Sequence, residues 1–139
     1  MSIRIFYDVE GVRLNGWLKL VKIIRQKVNE RQYKVGDLNF IITGDSEIRS
    51  LNVKYLEHDY FTDVITFNYN EGNRVGGEIY ISIDTVAINA EDYGVSVQDE
   101  LKRVIIHGVL HLLGMNDITE EERKQMRTEE DKWLLLTRI

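Results

Sequence analysis

The chain of 139 residues has no cysteine, no proline and only three histidines. Without cysteine there is neither a disulfide framework nor a thiolate zinc site. Any metal must be held by histidine, aspartate, glutamate or backbone oxygen. No run approaches the roughly 18 apolar residues of a membrane-spanning helix. The N-terminal MSIRIFYDVEG lacks the basic-then-apolar form of a signal peptide and enters a strand pattern at once. Basic residues are outnumbered, 18 Lys and Arg against 23 Asp and Glu, for a net charge of −5. That balance argues against a protein that coats nucleic acid nonspecifically, since such binding rests on neutralising phosphates. It leaves room for a local basic groove. A cytoplasmic enzyme or binding protein with no membrane contact is the expectation.

What is present is ordinary for one soluble domain spanning 1–139: 43% hydrophobic and 29% charged residues. Residues 3–9 (IRIFYDV) are expected as a first strand, followed by a helix through NGWLKLVKIIRQKVNER. Trp17, Leu18, Val21, Ile24 and Val28 recur there at helical spacing. Lys19, Lys22, Arg25 and Lys27 interleave with them, as a solvated face or, less simply, an RNA-facing edge. Gly36-Asp37 are expected to break the chain before a strand over 38–43. A short helix capped by Ser46 follows to about Tyr55. DVITFNY (63–69) and VGGEIYIS (75–82), joined by NEGN, read as a hairpin. Three helices complete the chain. The first is capped by Asp84 and stopped by Gly94. The second is opened by Ser96, with Val97, Leu101, Val104, Ile105 and Gly108 inward, and ends at Gly114. The third is opened by the capping box T-E-E-E at Thr119, with Met126, Trp133 and Leu134 inward. The expected fold is one α+β domain, a small mixed four-stranded β-sheet flanked by about five helices.

The chemistry concentrates in HGVLHLLGMND, His107 to Asp117. His107 and His111 are four apart on one helical face, close enough to share an ion. The glycine stop at Gly114 lets Asp117 swing back to the same metal. Two histidines at this spacing alone are more often surface or satisfied core residues. Here the surrounding IIHGVLHLL is apolar, and imidazoles buried in it need polar partners. Three protein ligands would leave an open position, as hydrolytic zinc requires. The glutamate of an HExxH metalloprotease is absent, because Gly108 stands in its place.

HGVLHLLGMND strongly resembles the HGxLHLxGYDH signature of the YbeY endoribonucleases, the bacterial rRNA maturation factors. LNVKYLEHDYFTDVITF (51–67) is similar to that family's LNxxYRxxDxPTDVLSF, and GGEIYIS (76–82) to its LGDIVIS strand. The matches run in family order from about residue 38 to 122. The resemblance implies a single zinc and cleavage of single-stranded RNA. It also implies a part in small-subunit rRNA 3′-end maturation and ribosome quality control, with the small subunit as partner and no DNA substrate.

The departures matter as much. The family's third ligand is a histidine; here it is Asp117, with Asn116 before it. Aspartate is a competent zinc ligand, but it lowers the positive charge of the complex and makes manganese, iron or nickel more plausible occupants. The family's arginine in LNxxYR is Leu56 here, expected to pack against the domain. Arg103, one turn before His107, is expected either to supply the missing phosphate-binding charge as a catalytic residue or to be salt-bridged. His58 is expected at the surface, Asp63 either as a residue that holds the loop or as a second-layer acceptor for a ligating histidine, and Glu78 as structural. Three other readings stay open: a non-haem iron oxygenase, a metal-dependent hydrolase of another substrate, and a ribosome-assembly factor with a mainly structural metal.

Overall fold

The computed structural model of the protein describes residues 2–56, the side chain of Leu56 excepted, and residues 63–139. The expectations for His58 and for the packing of Leu56 lie outside the described residues. The described chain folds into one α+β domain, in which a four-stranded mixed sheet carries five α-helices.

The strands are β1 (Ile3–Tyr7), β2 (Lys34–Thr43), β3 (Val64–Asn68) and β4 (Arg74–Ser82), in the spatial order β1-β2-β4-β3. β1 runs parallel to β2 and β2 parallel to β4, while β3 closes the edge as the antiparallel hairpin partner of β4. Helix α1 (Trp17–Glu30) makes the crossover from β1 to β2 that parallel pairing demands. Gly36-Asp37 do not break the chain as expected. They form an irregularity inside β2, where the register to β4 shifts between Val35 and Leu38. A Cβ on Gly36 would sit 3.3 Å from the Val75 carbonyl oxygen, so glycine lets the two backbones approach there.

Helix α1 buries Leu20, Ile23, Ile24 and Val28 against the sheet, and Trp17 meets Phe40 edge-on at 5.8 Å. Leu18, expected inward, is 83% exposed. One residue advances the helix by about 100°, which turns Leu18 off the stripe that Trp17 begins.

Helix α2 (Asp45–Leu51) continues into a π-helical turn (Asn52–Leu56). Two expected caps are corrected here. Gly44, not Ser46, caps α2, and Ser82, not Asp84, caps α3 (Ile83–Tyr93). Asp84 is in the first turn of its own helix, and its carboxylate instead accepts from the Asp45 N–H at 3.0 Å. In return the Asp45 carboxylate accepts from the Ser82 and Thr85 hydroxyls. One orphan N–H of α2 is thus satisfied from α3, while Asp45 ties the hydroxyls at the start of α3, a pairing across 39 residues that local spacing does not reveal.

Helix α4 (Val97–Leu112) starts at the Ser96 cap and lies across β4 and β3. Leu101, Val104, Ile105 and Gly108 are buried as expected, but Val97 is 40% exposed at the helix start. A Cβ on Gly108 would lie 2.9 Å from the Ile79 side chain. The glycine that replaces the HExxH glutamate therefore leaves room for the Ile79 side chain of β4 against the helix. Helix α5 (Glu120–Thr137) carries the expected capping box and buries Met126, Trp133 and Leu134.

Candidate metal centre

Helix α4 presents His107 and His111 one turn apart, and its C-terminus turns the chain back onto them. Gly114 N–H donates to the His111 carbonyl and Met115 N–H to the Leu110 carbonyl, both at 3.0 Å. This double bond pattern is the Schellman motif, and Gly114 takes the positive φ it needs, +94°. Arg123, from the first turn of α5, donates to the Ile118 carbonyl at 2.6 Å and secures the following loop. Asp117 is thereby delivered to the histidines.

The three donor atoms converge. His107 Nε2 is 2.9 Å from His111 Nε2, and Asp117 Oδ2 is 3.3 Å from the first and 3.4 Å from the second. Ligands on a tetrahedral zinc, at about 2.0–2.2 Å from the ion, are separated by about 3.3 Å. The side chains are 22%, 28% and 39% exposed in the same order, so a fourth position can open to solvent.

The other ring nitrogens explain why the Nε2 atoms can act as ligands. His111 Nδ1 is 3.0 Å from the Met115 carbonyl oxygen, which can only accept, so Nδ1 carries the proton. His107 Nδ1 donates to Glu130 Oε2 at 2.7 Å. In the neutral imidazoles both Nε2 atoms then hold lone pairs, pointed at one another and at a carboxylate. Three electron-rich atoms this close require a cation or a proton among them, and the donor set fits a transition metal. Burial would lower the His107 pKa. The hydrogen bond to Glu130, with the charges of Glu130, Asp117 and Asp63, outweighs it and holds the imidazole above its ordinary value.

Glu130 is the residue that sequence reasoning missed. It is 5% exposed on α5, and its other oxygen accepts from Arg103 Nη1 at 3.0 Å. The signal was readable, because Glu130 falls on the face that Met126, Trp133 and Leu134 define. An acid at the centre of an apolar stripe needs a partner.

Arg103 shares the helix face of the histidines as expected, yet its guanidinium is engaged, with Glu130 at 3.0 Å and Asp131 at 2.8 Å. Asp63 lines the same cavity, but the two Nδ1 atoms use Glu130 and Met115 as acceptors, not Asp63. Glu78 lies on the sheet and accepts from the Tyr69 hydroxyl at 3.2 Å, in keeping with a structural role. Lys19, Lys22, Arg25 and Lys27 do not line the cavity beside the histidines. That cavity, of about 260 Å³, is walled by α3, α4, α5 and Asp63 before β3, with His107 and Asp117 in its lining.

Known proteins match this chain over nearly its full length. A sequence model of the family described as Endoribonuclease YbeY matches residues 8–137. A protein of Phocaeicola vulgatus named Endoribonuclease YbeY is 43% identical, with 95% of this chain and 97% of the relative covered. One of the same name from Chlorobaculum tepidum is 48% identical over 83% of this chain and 84% of the relative. The solution structure of a Thermotoga maritima protein superposes with a TM-score of 0.68 at 30% identity, covering 98% of this chain and 89% of that one. With the sheet order, the histidine helix and the glycine turn all in place, the chain belongs to the YbeY endoribonuclease family.

Proposed function

We propose that this chain is a metal-dependent endoribonuclease specific for single-stranded RNA, acting in the cytoplasm on small-subunit rRNA 3′ ends and in ribosome quality control. The observation that carries the reading is the convergence of His107 Nε2, His111 Nε2 and Asp117 Oδ2 within 2.9–3.4 Å, both Nδ1 atoms being already engaged. Family membership supplies the RNA substrate, since the relatives carry the name endoribonuclease.

In this reading His107, His111 and Asp117 hold one ion, zinc or alternatively manganese, iron or nickel. When bound, such an ion supplies Lewis acidity to a phosphate oxygen and orients water at the phosphorus. The chain's own residues do the rest. Glu130 and the Met115 carbonyl fix the tautomer and orientation of the two imidazoles. Asp117 brings a negative charge where the family signature has a neutral histidine, so the Lewis acid is weaker and harder ions are tolerated. Arg103 acts through Glu130, as a positioning residue, because a phosphate contact would cost it both ion pairs.

The test is the metal content of untagged protein, wild type and Asp117→Ala, followed by cleavage of single-stranded RNA. About one equivalent of transition metal in wild type, lost together with cleavage in the variant, is the expected result. Metal retained by Asp117→Ala would remove it from the ligand set. One equivalent of metal with no RNA cleavage under any added ion would replace the nuclease with an assembly factor or a hydrolase of another substrate.

A further inference from the structure

The cavity beside the histidines has a buried acidic floor and an exposed rim of opposite character. Tyr93, the last residue of α3, is 57% exposed on that rim. The Arg127 guanidinium sits over its ring, 5.6 Å from the centroid. Both residues line the cavity that His107 and Asp117 also line. Arg123 and Lys124, likewise exposed, continue from Arg127 along α5 and border an adjoining shallow depression. A chain of net charge −5 thus places two exposed cations, Arg123 and Arg127, and an open aromatic ring on the cavity beside its metal centre, with Lys124 and Glu120 on the adjoining depression.

We propose that Tyr93 and Arg127 form a nucleotide subsite, in which an unpaired base stacks on the Tyr93 ring while Arg127 holds the adjoining phosphate, seating the neighbouring phosphodiester at the metal. The proposal rests on the nuclease reading and names what would give it single-strand preference. A base can lie flat on a tyrosine only when it has left its duplex stack, and such contacts tolerate any base because each has a π-face. Arg127 holds the ring from one side by a cation–π contact and, being exposed, keeps its terminal N–H groups available to a phosphate. A second open tyrosine beside a cavity serves as the control. Tyr69, 59% exposed, borders a different cavity, which neither histidine nor Asp117 lines, and its hydroxyl is bonded to Glu78.

The experiment is fluorescence anisotropy with a labelled eight-nucleotide RNA, 2′-O-methylated and phosphorothioate-linked to resist cleavage, titrated with metal-loaded protein. Tyr93→Ala is expected to weaken binding roughly tenfold, as loss of one base–aromatic stack does. Tyr93→Phe should bind as wild type, and Arg127→Ala should bind several-fold more weakly with a shallower salt dependence. Tyr69→Ala should change nothing. The position of Tyr93 at an exposed helix end keeps the variants folded. Tyr93→Ala binding as well as wild type, or wild type failing to bind, overturns the subsite. The two readings fail separately. RNA cleavage with equal binding by Tyr93→Ala leaves the nuclease and removes the subsite. Tyr93-dependent binding without cleavage leaves the subsite and removes the nuclease.

Discussion

Glu130 and Glu100 are 5% and 4% exposed, and both line the cavity beside the histidines. Glu130, on α5, has a partner for each oxygen, Arg103 on Oε1 and His107 on Oε2. Glu100, on α4, has Arg103 Nε 4.0 Å from Oε1, and that oxygen has no hydrogen-bond partner among the described residues. Burial pushes the Glu100 carboxyl above its ordinary value. The Arg103 charge opposes the rise and the Asp63 charge adds to it. Two acids equally removed from water therefore stand in opposite positions. One has its desolvation offset by charge-assisted hydrogen bonds and in exchange fixes an imidazole. The other keeps an uncompensated cost beside the same arginine.

The comparison breaks most visibly at Glu130. Glu130→Gln keeps the volume but removes the charge that orients His107 and strengthens it as a ligand. Metal affinity should fall roughly 10–100-fold, read by competition with a chelator of known affinity. Glu130→Ala should in addition lose about 3–5 kcal/mol of stability, because Arg103 and His107 are left without their buried partner. An unchanged affinity in Glu130→Gln would mean that the His107–Glu130 contact is incidental to the centre.

Arg103 serves both acids, so its removal sharpens the contrast. Arg103→Leu should cost about 1–3 kcal/mol in urea unfolding, from Glu130 losing a charged donor and Glu100 losing its counter-charge. Metal affinity should fall less than in Glu130→Gln, since His107 keeps its own hydrogen bond. The double variant should be less than additive, as two changes in one network are. If Arg103 instead binds phosphate directly, Arg103→Leu would raise KM for RNA with stability and metal affinity intact.

These two sites also mark what the sequence made legible. His107, His111 and Asp117 lie within eleven residues, and helix periodicity with one glycine turn is enough to bring them together. Their supports are of two kinds. The Met115 carbonyl is four residues from His111 and follows from the same turn, whereas Glu130 is 23 residues from His107 and depends on how α5 docks. Periodicity could mark Glu130 as out of place, but could not name its partner. The same divide runs through the fold. The capping box at Thr119 and the cap at Ser96 are local and were readable. The link between the starts of α2 and α3 through Asp84 and Asp45, and the irregularity at Gly36-Asp37, are set by neighbours distant in sequence.

The smallest expected effect is at Glu100, and its sign is opposite to that at Glu130. Glu100→Gln removes a buried charge whose oxygen is unsatisfied, so the variant should be more stable than wild type at neutral pH, by about 1 kcal/mol. The pH dependence identifies the cause. A carboxyl whose pKa is raised on folding binds its proton more tightly in the folded state. Its favourable contribution is complete below the ordinary carboxylate value of 4.5 and is lost as pH rises through the raised value. Wild type and Glu100→Gln should therefore be similar in stability below that value and diverge as the pH increases, with Glu100→Gln ahead. Thermal unfolding of the metal-free proteins at a series of pH values would show it. A constant difference across pH would assign the gain to packing. A loss at neutral pH would show that the attraction between Glu100 and Arg103 at 4.0 Å outweighs the desolvation of the acid, and that the two buried carboxylates are alike after all.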